Sequence, residues 1–403
     1  MNIAWFRDRV PDPADPLDDT AALIEALRAT HVIDVLAEAD APDFVWRHAL
    51  TPWDLCVYEL DNTRAHQFVW AYLLNYPGVV FLKSRTLHDS RADALDRDDR
   101  LDDYREELRF SDGAPPPMTW KGQHHAARGS WPMLRIPLLA SRAVVVAHTT
   151  VARTLHEAYS DARVRYAPST PNDQLPTPKE VGPSLPTTSN IQLPASKESG
   201  TPCRVGVFGG NRLAVIERAV HRAREAGAAV ELITGESPGR VLEACDVVIA
   251  LTWPAADAPL TAALAGMAAG KAVVTFDLET TADWPALDPQ TWRPRGRATS
   301  GAPNAVAAVT IDPRDEEHSL MLAIRRLASD APLRDQLGRA ARAWWEDHAT
   351  PALAAAAWNQ ILEEAISLAP PPQPADWPAH LRADGTQLAR AILGEFGITP
   401  RRR

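Results

Sequence analysis

The chain has 403 residues, 45% of them hydrophobic, and a formal net charge of −10. That length exceeds a usual single core, so two domains are expected. The acidic balance argues against nucleic acid as a partner, and no apolar run approaches the ~20 residues that cross a bilayer. The start, MNIAWFRDRV, turns charged after a few apolar residues and does not read as a signal peptide. Cys56, Cys203 and Cys245 lie far apart, without metal or redox spacing. They read as small buried hydrophobes in a reducing, cytoplasmic compartment.

Strand-like and helix-like runs alternate along the first part of the chain. Strands are expected at 3–6, 53–60, 79–82 and 143–147, and helices at 65–74 and 150–159. Residues 169–202 then read STPNDQLPTPKEVGPSLPTTSNIQLPASKESGTP, rich in Pro, Ser and Thr and without apolar periodicity. Such a segment buries too little surface to offset its ordering entropy and reads as a disordered linker. After it come strands at 204–208, 229–233, 247–251, 272–276 and 306–311, with helices at 214–226, 259–269 and 316–328. Two such alternating runs give two parallel-sheet domains.

Residues 246–277, DVVIALTWPAADAPLTAALAGMAAGKAVVTFD, are the most informative stretch. The apolar run 247–251 has strand length, and Trp253-Pro254 breaks it. Asp257 can cap a helix that tolerates Pro259 in its first turn. Leu260, Leu264 and Met267 follow at helical spacing, Gly270 stops the helix, and Ala272-Val273-Val274 starts the next strand. In parallel sheets, ligands bind beyond the carboxyl ends of the strands, where the loop after Leu251 belongs.

This segment resembles the nucleotide-sugar site of retaining glycosyltransferases of family four, which have the GT-B fold. Pro254 fits, Asp257-Ala258 stands for the family's Glu-Gly pair, and residues 265–274 stand for its Glu-Ala-Met-Ala-x-Gly-x-Pro-Val-Val run. Ala265 occupies the place of the second Glu, which in the family holds the ribose. Residues 58–62 with His66, residues 75–82, Leu87-His88 and residues 144–148 resemble N-terminal family motifs in order, with Lys83-Ser84 replacing a His-Asp pair. Residues 333–342 and the helix through Trp358 resemble the C-terminal region. The resemblance implies an α/β GT-B fold: two Rossmann-like domains facing each other across a cleft, with C-terminal helices crossing back. The implied domains are an acceptor-side domain at 1–168, the linker at 169–202, a nucleotide-sugar domain at 203–350, and a helical crossover and tail at 351–403. The implied activity is transfer of a sugar from a nucleoside-diphosphate sugar, with retention and without a metal or other cofactor. The acceptor is a glycan, a lipid or a small molecule. The alternative is a catalytically degenerate glycosyltransferase fold that acts as a binding or scaffold module.

Gly209-Gly210-Asn211-Arg212 follows the first strand of the second domain. Glycines let a backbone approach a phosphate, a helix N-terminus offers N–H groups, and Arg212 can add a bidentate contact. The competing reading is a plain tight turn with Arg212 solvated. Asp257 and Ala258 are candidates for donor contact, Asp257 also as a helix cap. Trp253 can stack on a base or sugar, though packing is favoured. In the first domain His66, His148 and Lys83 are the catalytic candidates. His88 is weighed beside them; a lone His is more often an ordinary hydrogen-bonded residue. Lys83 can bind phosphate or an acidic acceptor, or mark a lost site. DRDDRLDDYREE at 96–107 reads as a solvated, salt-bridged helix face rather than a metal site. His124-His125 reads as surface and Trp344-Trp345 as helix packing. The basic groups at 293–297 and 401–403 allow at most weak peripheral membrane contact.

Overall fold

The computed structural model describes residues 1–12, 15–113, 131–171, 201–235, 237–253, 260–295, 306–382, 392 and 395. Most of 169–202, together with Asp257, Ala258, His124, His125 and 401–403, lies outside the described residues. The chain forms two compact units: Met1–Pro11 with Leu27–Ala167 and Ala356–Arg403, and Asp12–Ala26 with Pro168–Ala355. The second unit thus takes a short N-terminal segment, and the first takes the C-terminal end.

In chain order the first part carries β1 (Asn2–Phe6), α1 (Ala21–Leu27), β2 (Val32–Leu36), α2 (Phe44–Leu50), β3 (Leu55–Leu60), α3 (Val69–Asn75) and β4 (Val79–Leu82). Next come α4 (His88–Arg97), α5 (Leu101–Asp112), α6 (Arg135–Ala140), β5 (Ala143–Val146), α7 (Thr149–Ala158) and β6 (Val164–Tyr166). All strands of this sheet are parallel, in the order β2-β1-β3-β4-β5-β6. Every residue of β3, β4 and β5 is buried. Burial on both faces of a parallel sheet is why these strands read as continuous apolar runs.

The second sheet is built from β7 (Cys203–Val207), β8 (Val230–Thr234), β9 (Val247–Ala250), β10 (Ala272–Phe276), β11 (Ala286–Leu287), β12 (Pro294–Arg295) and β13 (Ala308–Ile311). Its order is β12-β11-β13-β10-β9-β7-β8, parallel except for β11 with β12. Its helices are α8 (Leu213–Glu225), α9 (Pro238–Ala244), α10 (Thr261–Ala268), α11 (Glu316–Ser329) and α12 (Ala331–His348), whereas most of α13 (Pro351–Ser367) belongs to the first unit, where Trp358 packs on Trp5 with ring centroids 5.1 Å apart. Side chains of a strand alternate between the faces. Val247 and Ile249 therefore pack with Ile216, Val220, Leu320 and Ile324 of α8 and α11. Val248 packs with Leu242, Leu264, Met267 and Trp345 of α9, α10 and α12. Trp345 is a core residue, and Trp344 packs on Trp284 with ring centroids 5.3 Å apart.

The three cysteines are buried and unpaired. Burial pushes the Cys56 and Cys245 thiols up to about 11, so neither is a thiolate nucleophile at neutral pH. The acidic 96–107 stretch spans two helices, broken at Asp99, and its charges form ion pairs such as Arg100–Asp103 and Arg105–Asp102. No helix among the described residues is long and apolar enough to cross a membrane.

Candidate functional site

In the second unit, β7 feeds α8 on one face of the sheet, whereas β9 feeds α10 on the other. β7 and β9 are neighbours, so the two departing loops part and leave a crevice at the carboxyl ends of the strands. A cavity of about 210 Å³ lies there, walled by Gly209, Gly210, Thr252, Thr261, Ala262 and Thr275, with Leu17 contributed by the N-terminal segment.

The backbone of the first loop is shaped for close approach. Gly209 and Gly210 both have left-handed conformations, at φ 69° and 80°. A Cβ on Gly210 would stand 2.3 Å from the Leu251 carbonyl oxygen, so only glycine fits. The next residue ties the two loops together: Asn211 Nδ2 donates to Trp253 O at 2.6 Å, and Trp253 N donates to Asn211 Oδ1 at 3.0 Å. Trp253 is 45% exposed and meets Phe276 edge-on at 6.2 Å.

Arg212 is half-buried, ion-paired and absent from the cavity wall. Its guanidinium holds the Glu316 carboxylate with two parallel bonds, Nε to Oε1 at 2.8 Å and Nη2 to Oε2. That bond raises the Arg212 pKa above its ordinary value. No charged side chain lines the cavity among the described residues. Hydroxyls and backbone groups supply its polarity. Ala265 is fully buried in the core beneath α10 and does not line the cavity.

The first unit has a corresponding edge, where β1 and β3 are neighbours and β2 lies outside β1. The carboxyl ends of β1, β3 and β4 bring polar groups together. Glu59, fully buried, accepts from Trp5 Nε1 at 2.8 Å. Its other oxygen is 3.0 Å from Lys83 Nζ, and Arg7 Nε lies 3.5 Å from the first. Two cations thus balance one carboxylate that water cannot reach. His66 Nδ1 lies 2.8 Å from Asp61 Oδ1 and 3.2 Å from Thr63 Oγ1. Burial pushes the Asp61 carboxyl up, but the His66 and Thr63 bonds outweigh it and hold the group below its usual range. An imidazole held through Nδ1 presents Nε2 as the basic nitrogen. Asp8 Oδ1 lies 4.0 Å from that nitrogen.

The structure thus brings His66 and Lys83 together with Arg7 and Asp8, which the sequence reading did not name, and with Glu59 and Asp61, which it quoted only as part of the 58–62 motif. The missed signal is Glu59 itself, a charge inside an otherwise apolar strand. His148 precedes α7 at the carboxyl end of β5, the neighbour of β4. His88 is a core residue, with Nδ1 2.9 Å from Trp131 O and Nε2 3.1 Å from Tyr104 Oη. Asp8, Glu59 and His66 can converge on one ion. The adjoining Arg7 and Lys83 already supply the positive charge that Glu59 needs, which disfavours a metal there.

No family model and no curated protein matches the sequence. Among solved structures, Anabaena Alr3699/HepE in complex with UDP and glucose superposes with a TM-score of 0.50 at 13% identity, over 91% of this chain and 100% of that one. WaaG, a glycosyltransferase involved in lipopolysaccharide biosynthesis, gives 0.48 at 14% identity, over 89% and 99%. Two parallel α/β units and the likeness to HepE decide the architecture. The chain has the GT-B fold. In GT-B terms, the Gly209–Trp253 crevice lies in the C-terminal sheet unit and the Glu59–His66 cluster in the N-terminal one.

Proposed function

We propose that this GT-B protein is a glycosyltransferase whose second unit binds a nucleoside-diphosphate sugar in the Gly209–Thr261 cavity. The observation that carries the reading is the crevice between β7 and β9, where the Gly209-Gly210 backbone is bare and left-handed. A backbone without side chains lets phosphate oxygens approach its N–H groups closely. Hydroxyls of Thr252, Thr261 and Thr275 line the same space. HepE, of the same fold, was solved with UDP and glucose. Within the first unit, His66 is the candidate general base, its Nδ1 held by Asp61 at 2.8 Å, which fixes the tautomer.

The test is thermal shift with UDP, GDP and ADP and their sugars, since a ligand that binds only the folded chain raises the melting temperature by mass action. No shift at millimolar concentration with any of them would refute the reading.

Specific contacts favour a second reading, a fold that binds without turning over. Arg212 is engaged by Glu316 and Lys83 by Glu59, and Ala265 brings no carboxylate. A nucleotide sugar that raises the melting temperature yet is neither transferred nor hydrolysed would select that reading.

A further inference from the structure

Thr261 opens α10 and lines the cavity, yet it is only 3% exposed. Its Oγ1 is buried and has no hydrogen-bond partner among the described residues. A buried hydroxyl without a partner is costly, and native chains retain few of them. Its neighbours Ala262 and Ala263, also on the wall, offer no side-chain polarity. Thr275, by contrast, spends its hydroxyl hydrogen on Ala250 O at 2.9 Å. Thr261 therefore keeps a donor for something that enters the cavity. It sits in the first helical turn, whose backbone N–H groups lack intrahelical partners. Those groups and the hydroxyl favour the same kind of ligand atom, an anionic oxygen.

Resting on the donor reading above, we infer that Thr261 Oγ1 donates to a phosphate oxygen of the bound nucleoside diphosphate, a task left to it because no cationic side chain lines the described cavity. Ala265 lies four residues on, on the same face of α10 and one turn further from the cavity. The helix thus carries its ligand-facing polarity at 261 and core packing at 265.

The experiment compares the wild-type chain with Thr261→Val and Thr261→Ser, by titration calorimetry with whichever of UDP, GDP and ADP binds best, and by melting without ligand. Valine keeps the shape and removes the hydroxyl; serine keeps the hydroxyl. The inference predicts roughly ten- to a hundredfold weaker diphosphate binding for Thr261→Val. Thr261→Ser stays within about twofold, and the ligand-free Thr261→Val melts at or above wild type, because an unmet polar group has been removed. Unchanged diphosphate affinity in Thr261→Val overturns the inference while leaving the donor reading intact. A ligand-free melting temperature several degrees below wild type overturns it too, since the hydroxyl would then have a partner in the empty protein. If the wild type binds none of the three nucleotides, the donor reading fails and the inference with it.

Discussion

Asn211 and Trp253 clasp each other through one side-chain amide: Nδ2 donates to the Trp253 carbonyl at 2.6 Å, and Oδ1 accepts from the Trp253 N–H at 3.0 Å. The clasp joins the loop after β7 to the loop after β9, the two walls of the crevice. It satisfies both backbone groups of a residue that no strand or helix serves. Asn211 is exposed, so water can replace its bonds and the energetic loss on removal is modest, about 1 kcal/mol. What would be lost is the loop's position. Asn211→Ala is expected to lower the melting temperature by only a few degrees but to weaken nucleotide binding by about an order of magnitude. Equal affinity in the two proteins would show that the clasp does not set the site.

Ala265 is the position where family four would place a carboxylate. Here it is fully buried among Val248, Leu264 and Met267. Ala265→Glu would bury a charge without a partner, at a cost of roughly 3 kcal/mol or more, or force the carboxyl to stay protonated. The substitution is expected to destabilise the protein and not to tighten nucleotide binding. Calorimetry and melting on the same preparation check both halves.

His380 ties the C-terminal turn Ala379–Arg382 to α5. Its Nε2 lies 2.7 Å from Glu107 Oε1, and its Nδ1 lies 3.2 Å from Glu106 Oε2 and 3.3 Å from Asp103 Oδ1. Glu107 also holds Arg91 in a two-bond ion pair. Burial lowers the His380 pKa, but the three carboxylates outweigh it and leave the ring above its ordinary value of 6.5. A raised native pKa means this stabilisation is complete below 6.5 and disappears as pH climbs through the higher value. Between about pH 6 and pH 9, wild type should lose more thermal stability than His380→Gln. Parallel melting curves across that range would contradict the assignment.

Much of the architecture was legible because a parallel sheet buried on both faces imposes long apolar runs. Residues 79–82 and 272–276 read as strands and are β4 and β10 to the residue. The strand β2 was missed because Asp34 interrupts its apolar run and the strand is only partly buried, with Val32 exposed. The helix α9 is seven residues long and starts Pro-Gly, which looks like a turn until Val241 and Leu242 are seen in the core. At the site, glycine identity pointed to the Gly209-Gly210 turn, because a bare left-handed backbone needs no partner to be recognised. Arg212 misled, because a charge near a phosphate loop looks free until its partner, 104 residues away in Glu316, is brought beside it. Glu59 and Asp61 were quoted within the 58–62 motif but given no role, for a similar reason. Glu59 depends on Arg7 and Lys83, which only the parallel register of β1, β3 and β4 brings beside it, whereas Asp61 meets His66 through the turn after β3.

The central claim is that a nucleoside diphosphate occupies the crevice between β7 and β9. Hydrogen exchange with and without the best-binding nucleotide tests it most directly, because it reads both binding and place. Protection is predicted for peptides covering 207–213, 250–253 and 260–264, with the central strands of the first unit unchanged. Binding that protects none of these segments, or protects only those around Glu59 and His66, would contradict it.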